Sequence, residues 1–313
     1  MIHKHDILAI GNDKLRRLAT FASILVASAL IAAKASAYFM TDSVAMLSSL
    51  FDSIFDLVAS LVTAYGVHSA LRPPDREHRY GHGKAEPLAA LAQAAFIIGS
   101  SILLAYEAAI RLYHPQKMDH EIVAYGVMAL AIVLTIALIS FQRHVVRKTG
   151  SSAISADRLH YVGDLAVNIA VVAAFALYRW TGLEWFDPVF AFGIASGLMV
   201  SAFHILKHAL YALMDAELPN EERARIRNIV RAQTGVRGVH DMRTRSDSDR
   251  IFIELHVEMD PEMSLREAHI LSDKICDAVV SEIPNADILV HQDPAGIEED
   301  RLDVQIEQRW AGK

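Results

Sequence analysis

Two long apolar runs of this chain, residues 43–67 and 154–178, each carry a pair of ionisable residues four positions apart. The pairs are Asp52 with Asp56, and His160 with Asp164. Each run is longer than the roughly 20 residues that a helix needs to cross a bilayer, and a spacing of four places both members of a pair on one helical face. An ionisable group at the bilayer centre costs roughly 2.5–3.5 kcal/mol to insert. Four such groups indicate that they bind something within the membrane, and we expect the two helices to meet around a divalent metal ion.

The composition indicates an integral membrane protein, because 53% of the 313 residues are hydrophobic and the apolar residues form several long runs. We predict six membrane-spanning helices, at residues 15–39, 43–70, 86–112, 121–146, 154–180 and 187–213. Most of the basic residues that flank these spans lie on the side that holds both chain ends, and Lys34 is assigned to the other side as a snorkelling residue. By the positive-inside rule, both termini are expected to face the cytoplasm.

The pattern changes after residue 213. From Met214 onward the chain has 22 acidic and 13 basic residues, a net charge of −9, whereas residues 1–213 carry a net charge of +2. We therefore predict a membrane domain over residues 1–213, a cytoplasmic domain over 214–298 and a mobile tail over 299–313. An acidic soluble domain argues against nucleic-acid binding.

The cytoplasmic domain shows alternating helix and strand patterns. The predicted order is α-β-β-α-β, with elements at residues 219–234, 236–245, 250–260, 264–283 and 286–292. Ser264 and Glu267 fit a capping box at the start of the second helix. The predicted fold class is thus an all-α membrane domain of six helices followed by a small α+β domain with a three-stranded sheet.

Three carboxylates and one imidazole in the membrane suit a tetrahedral site for Zn²⁺ or a similar ion. The alternative is that these residues cap helix ends or pair with basic side chains, and Asp157 and Asn168 on the same stripe support that alternative by widening the polar face. No basic side chain is expected at a matching depth, which favours the metal site. Cys276 is the single cysteine, so a cysteine-rich site is excluded.

Two further groups of residues have the composition of metal sites. In the loop before the third span, Asp75, His78 and His82 are spaced three and four apart, enough for three ligands; a polar loop with two solvated histidines is the alternative. The cytoplasmic domain holds a second group on its strands and its second helix, where the alternative is ordinary surface histidines. The members of that group are His240, His256, His269, His291 and Asp293.

The motifs that contain these residues resemble those of the cation diffusion facilitator family, and in particular its bacterial zinc/ferrous-iron efflux pumps. The matching runs are SLFDSIFDLVAS, HRYGHGKAEPLAALAQ, SADRLHYVGDLAVN and ILVHQDP. The resemblance covers essentially the whole chain. It implies a homodimeric metal/proton antiporter of the bacterial inner membrane, with a metallochaperone-like cytoplasmic domain.

The resemblance also implies roles for individual residues. It implies a transport site at Asp52, Asp56, His160 and Asp164. It implies a loop site at Asp75, His78 and His82, and a binuclear cytoplasmic site at His240, His256, His269, His291 and Asp293. It further implies a charge interlock between Lys84 and Asp215, and an apolar gate at Leu159.

The expected function is proton-coupled export of a divalent metal, with Zn²⁺ favoured and Cd²⁺ and Fe²⁺ as further substrates. Metal binding requires ionised carboxylates and a neutral imidazole, so protons and metal compete for the site. A membrane-anchored metal sensor and an exporter of organic cations are the alternatives. No nucleophile–base arrangement or phosphate-binding loop stands out, so neither enzymatic activity nor dependence on ATP is expected.

Overall fold

The computed structural model describes residues 4–41, 44–113, 122–183, 185–248, 250–296 and 301–311. The chain divides into two compact units, Met1–Leu210 and Tyr211–Lys313. The sequence places this boundary after residue 213. Positions 43 and 121, predicted as the first residues of the second and fourth spans, lie outside the described residues.

The first unit consists of long helices. They are α1 (Lys4–Thr41), α2 (Val44–Ala70), α3 (Ala85–Tyr113), α4 (Ile122–Thr149), α5 (Ser152–Thr181) and α6 (Phe186–Leu213). All six contain segments that are long and apolar enough to cross a membrane. The predicted six-helix membrane domain is therefore confirmed.

Small residues allow these helices to approach one another closely. A Cβ atom added to Gly66 on α2 would lie 2.3 Å from the Cβ atom of Ala89 on α3, and one added to Gly163 on α5 would lie 2.9 Å from Leu198 Cδ1 on α6. The first distance leaves no room for a side chain, so Gly66 lets α2 and α3 pack closely in the manner of small-residue contacts between membrane helices. At Gly163 the near atom is the end of a flexible leucine side chain, which would have to shift to admit a Cβ atom.

A buried carboxylate joins five of the six helices. Asp157 on α5 accepts hydrogen bonds from Ser23 on α1 (2.7 Å), Ser60 on α2 (3.3 Å), Gln93 on α3 (3.3 Å) and Gln142 on α4 (2.7 Å). All five side chains are at most 2% exposed. A buried carboxylate without partners is strongly destabilising, so these four donors hold the bundle in one arrangement around Asp157.

The second unit is a small α+β domain whose fold was correctly predicted. Its elements are α7 (Asn220–Arg231), β1 (Gly238–Ser246), β2 (Ile251–Met259), α8 (Leu265–Glu282) and β3 (Ala286–Pro294). Strand β2 is central, antiparallel to β1 and parallel to β3. The predicted capping box is confirmed at the start of α8, where Ser264 and Glu267 hydrogen-bond reciprocally.

One face of the sheet forms the core of this domain. Ile253, Leu255 and Val257 alternate along β2 and are at most 1% exposed, and they belong to one apolar cluster with Ile275 of α8 and Ile226 of α7. Side chains alternate between the two faces of a strand. The intervening residues of β2, including His256, therefore lie on the face opposite the helices.

The predicted mobile tail instead contains a helix, α9 (Leu302–Ala311). A bulge in β1 places Asp241 at φ 47°, and its carboxylate accepts hydrogen bonds from the backbone N–H groups of Leu302 and Asp303, both at 2.9 Å. In return, the Asp303 carboxylate accepts one from the Asp241 N–H at 3.0 Å. The first two bonds satisfy backbone donors at the start of α9, and the third satisfies the N–H of Asp241 in the bulge. Positions 299, 300, 312 and 313 of the predicted tail lie outside the described residues.

We expect Ile275→Ala to destabilise the second unit by about 2–5 kcal/mol, because it opens a cavity in the fully buried core. Leu265→Ala on the same helix is the control, since Leu265 is 81% exposed and its truncation should change stability little. Hydrogen exchange of the α8 and β2 amides in the full-length protein measures both effects. Equal loss of protection in the two variants would contradict this core assignment.

Candidate metal centres

A compact cluster of potential ligands lies between helices α2 and α5. His160 Nε2 is 2.9 Å from Asp56 Oδ1 and 3.7 Å from Asp164 Oδ2. One ligand atom from each of the three residues lies within 4.8 Å of the others. The rings of Phe96 and Tyr161 pack against the imidazole at angles of 68° and 64°, with centroids 5.5 and 5.6 Å from its own. Two carboxylates and an imidazole this close together are suited to binding a divalent cation.

Asp52 lies in the same cavity but does not join this close group. The cavity has a volume of about 740 Å³, and Asp52, Asp56, His160 and Asp164 all line it, as does Asn168. Of these four candidate ligands, only Asp56, His160 and Asp164 have ligand atoms within 4.8 Å of one another. The structure thus brings three of the four predicted ligands into contact and places the fourth on the wall of their cavity.

The expectation that no basic side chain lies at the depth of these carboxylates is wrong. Lys34 of α1 lines the same cavity, and its Nζ donates hydrogen bonds to Ser53 Oγ (2.7 Å) and to the Ser49 carbonyl (3.0 Å) on α2. The side chain points between the helices instead of snorkelling. A lysine near the end of a span usually snorkels, so no local pattern predicts the inward position of Lys34.

Asp157, which the sequence analysis gave as a further polar residue on the same face of the fifth span, lies one turn before His160. Its carboxylate is enclosed by the four side-chain donors described above. This places it in the framework of the bundle, not among the residues that line the cavity.

The loop residues Asp75, His78 and His82 also come together. Asp75 Oδ1 is 3.4 Å from His78 Nδ1, Asp75 Oδ2 is 3.3 Å from His82 Nε2, and the two imidazole centroids are 4.4 Å apart. The Asp75 carboxylate also accepts hydrogen bonds from the backbone N–H groups of His78 (2.7 Å) and Glu77 (2.9 Å). These bonds, the one from His78 foremost, lower the pKa of Asp75. The loop therefore holds an ionised carboxylate between two imidazoles at its surface.

In the second unit, three histidines form a row across the sheet. His240 of β1 pairs with His256 of β2, and His256 pairs with His291 of β3. The ring centroids are 5.2 and 4.5 Å apart. Asp293 lies beside the row, with its carboxylate 3.4 Å from His240 Nε2, 2.9 Å from His256 Nδ1 and 3.2 Å from His291 Nε2. A buried carboxylate that contacts three imidazoles offers ligands for one or two divalent ions.

His269 is not brought to this row within the chain. It lies on α8, which packs against the opposite face of the sheet, and its side chain is 71% exposed, with Nε2 3.6 Å from the Asp273 carboxylate. Asp215 Oδ1 lies 3.7 Å from Arg245 Nη1 within the second unit, and its interlock with Lys84 stays a prediction. Leu159 is half-buried on α5, and its role as a gate also stays a prediction.

The lowered pKa of Asp75 predicts how its loop responds to pH. A carboxyl with a depressed folded-state pKa contributes stability that is complete above its unfolded value and is lost as the pH falls through the folded value. We expect the amides of Glu77 and His78 to keep their hydrogen-exchange protection between about pH 5 and pH 8, after correction for intrinsic rates. The measurement is made in the presence of a chelator.

Asp75→Ala should remove that protection throughout the range, whereas Glu77→Ala, the control in the same loop, should retain it. Loss of protection between pH 8 and pH 5 in the unsubstituted chain would contradict the assigned hydrogen bonds.

Comparison with known proteins extends over both units. Residues 20–214 match the description "Cation efflux transmembrane domain", and residues 218–295 match "Cation efflux protein, cytoplasmic domain". The cation-efflux pump FieF of Cronobacter sakazakii is 43% identical over 89% of this chain and 93% of its own length. FieF of Yersinia enterocolitica is 43% identical over 91% of this chain and 94% of its own length. A solved chain of CzrB is 32% identical over 25% of this chain and 99% of its own length, with a TM-score of 0.25. The chain therefore belongs to the cation efflux family, as the resemblance of its motifs predicted.

Proposed function

We propose that this protein exports divalent transition-metal cations from the cytoplasm in exchange for protons. The observation that carries the proposal is the cluster of Asp56, His160 and Asp164 inside a cavity of the membrane unit. Such groups are expensive to place in a bilayer and usually mark an ion pathway. The relatives named cation-efflux pumps support export as the direction of transport.

The ligand chemistry supports coupling to protons. His160 binds a metal only as the neutral imidazole, and Asp56 and Asp164 bind it only as carboxylates, so each protonation competes with the metal. Asp52, on the wall of the same cavity, would complete a set of three carboxylates and one imidazole once it moves inward. That set fits Zn²⁺ best and also suits Cd²⁺ and Fe²⁺.

Alternating access would come from rocking of the helix bundle around the bound cation. Protons arriving from the more acidic side would then displace the metal. No step in this cycle requires ATP or covalent chemistry. In this proposal the protein lies in the bacterial inner membrane with both termini in the cytoplasm.

The cytoplasmic unit would support dimerisation and regulation. His240, His256 and Asp293 offer ligand atoms within 4.8 Å of one another, and His291 contacts Asp293 beside them, so this group would form a second metal centre. His269 is exposed on α8, so it can act as a ligand of this centre only if it is supplied by the second copy in a homodimer. The Asp75 loop would be a third, surface-exposed metal site.

Asp56→Ala and His160→Ala should each abolish metal uptake into proteoliposomes, because each removes a ligand from the intramembrane cluster. The assay is Zn²⁺ flux under an imposed pH gradient without ATP, with Cd²⁺ and Fe²⁺ run in parallel. His204→Ala is the control, because His204 is an exposed membrane-unit histidine outside the cluster. Wild-type flux in both cluster variants would refute the transport site, and flux that is independent of the pH gradient would refute antiport. Metal binding without any flux in the wild type would favour the sensor.

Asp293→Asn should lower the number of metal ions bound per chain and weaken metal-dependent dimerisation, because it removes the charge that contacts all three histidines of the row. Asp277→Asn is the control, since Asp277 is exposed on α8 and is not one of the predicted ligands. Elemental analysis after gel filtration gives the stoichiometry, and sedimentation velocity gives the dimer fraction. An unchanged stoichiometry in Asp293→Asn would exclude Asp293 as a ligand.

A further inference from the structure

The position of Lys34 is fixed by α2, the helix that also carries Asp52 and Asp56. Its Nζ donates to Ser53 Oγ at 2.7 Å and to the Ser49 carbonyl at 3.0 Å. Ser53 lies between the two aspartates in the sequence and is 1% exposed. These two hydrogen bonds to α2 hold the ammonium group at a defined position in the wall of the cavity.

This ammonium shares its cavity with the proposed metal ligands. Lys34, Asp52, Asp56, His160 and Asp164 all line it. A lysine ammonium has three donors and no lone pair, so it cannot coordinate a metal. Its charge acts on the same carboxylates that would attract a divalent cation, and it repels that cation within the shared cavity.

The ammonium lies toward one end of the bundle. Lys34 is near the C-terminal end of α1 at Thr41, and Ser49 is near the start of α2 at Val44. The hydrogen bonds of Lys34 therefore lie on the side of Asp56 that faces the α1–α2 connection. With both termini in the cytoplasm, this connection lies on the outer side of the membrane, which is the side where an exported ion leaves.

We propose that Lys34 is a fixed counter-cation of the membrane site that weakens metal binding and speeds release on the outer side. The proposal rests on the proposed function, because it assigns a role within the same transport cycle. Without a metal, the ammonium balances part of the carboxylate charge. When a divalent ion enters, the two cations compete for the same carboxylates, so the site can bind the ion and still let it go.

The test removes the charge while keeping an unbranched side chain of nearly the same length. Lys34→Met should bind Zn²⁺ more tightly by on the order of tenfold, with a lower KM and a lower maximal rate in proteoliposomes because release becomes slow. Lys34→Arg keeps the charge and should keep the lower affinity. Lys207→Met, the same substitution at an exposed position of α6, should leave the affinity at its wild-type value.

A purely structural role for Lys34 predicts a different result. If the lysine only joined α1 to α2, Lys34→Met would weaken binding and lower the rate together, and Ser53→Ala would do the same. Weaker or unchanged Zn²⁺ affinity in Lys34→Met, with hydrogen exchange of α1 and α2 as in the wild type, would overturn the proposal.

Equilibrium binding separates this proposal from the proposed function. Affinity is measured on purified protein in detergent, where flux is not required, with Asp293→Asn and Asp75→Ala together as the background to remove the contributions of the cytoplasmic unit and of the loop. Tighter Zn²⁺ binding in Lys34→Met supports the role of Lys34 as a counter-cation even if the wild type shows no flux. In that case only the proposed transport function is refuted. Wild-type flux with no change of affinity in Lys34→Met removes the counter-cation and leaves transport in place.

Discussion

The absence of water in a bilayer core is the constraint on which the membrane unit depends, because every ionisable side chain there needs a partner supplied by the protein or by a ligand. Asp157 has protein partners, with donors from four other helices enclosing its carboxylate. Asp56, His160 and Asp164 instead face a cavity and one another. Asp157 and His160, one member of each group, lie about one turn apart on α5. The carboxylate of Asp157, whose hydrogen-bond partners come from the protein, holds the helices together. The neighbouring cluster of Asp56, His160 and Asp164 faces a cavity and is available to bind a cation.

The membrane helices and the ionisable residues of the candidate site were predictable from the sequence, whereas the positions of the side chains around those residues were not. A run of apolar residues long enough to span a bilayer leaves little choice of fold, and Asp or His within it is rare enough to be conspicuous. Lys34 shows the limit. A lysine near the end of a span normally reaches for the interface, and its inward position depends on how α1 is aligned with Ser49 and Ser53 of α2. That alignment is a tertiary property that no local pattern contains.

The second unit shows the same division between pattern and packing. Alternation along β2 correctly placed Ile253 and Leu255 in the core and so left His256 on the other face, but the pairing of His240, His256 and His291 in one row depends on the strand register. The helix α9 was missed because its first backbone donors are satisfied by Asp241, about sixty positions earlier in the chain. Although partial burial of Asp241 opposes ionisation, the hydrogen bonds from Asp303 and Leu302 lower its pKa. The charge of the tail, from which its mobility was predicted, carries no information about these contacts with Asp241.

The two best-formed clusters differ in how their side chains are supported, and this difference matches the different demands that export and regulation would make in the proposed function. His240, His256, His291 and Asp293 lie on hydrogen-bonded strands of one sheet, so their spacing is fixed by the backbone ladder. Asp56 and His160 lie on separate helices that share no backbone hydrogen bonds, and their separation changes whenever α2 and α5 move apart. A site that must retain an ion gains from the first arrangement. A site that must release its ion in every cycle needs the second, because a small displacement of either helix removes part of the coordination.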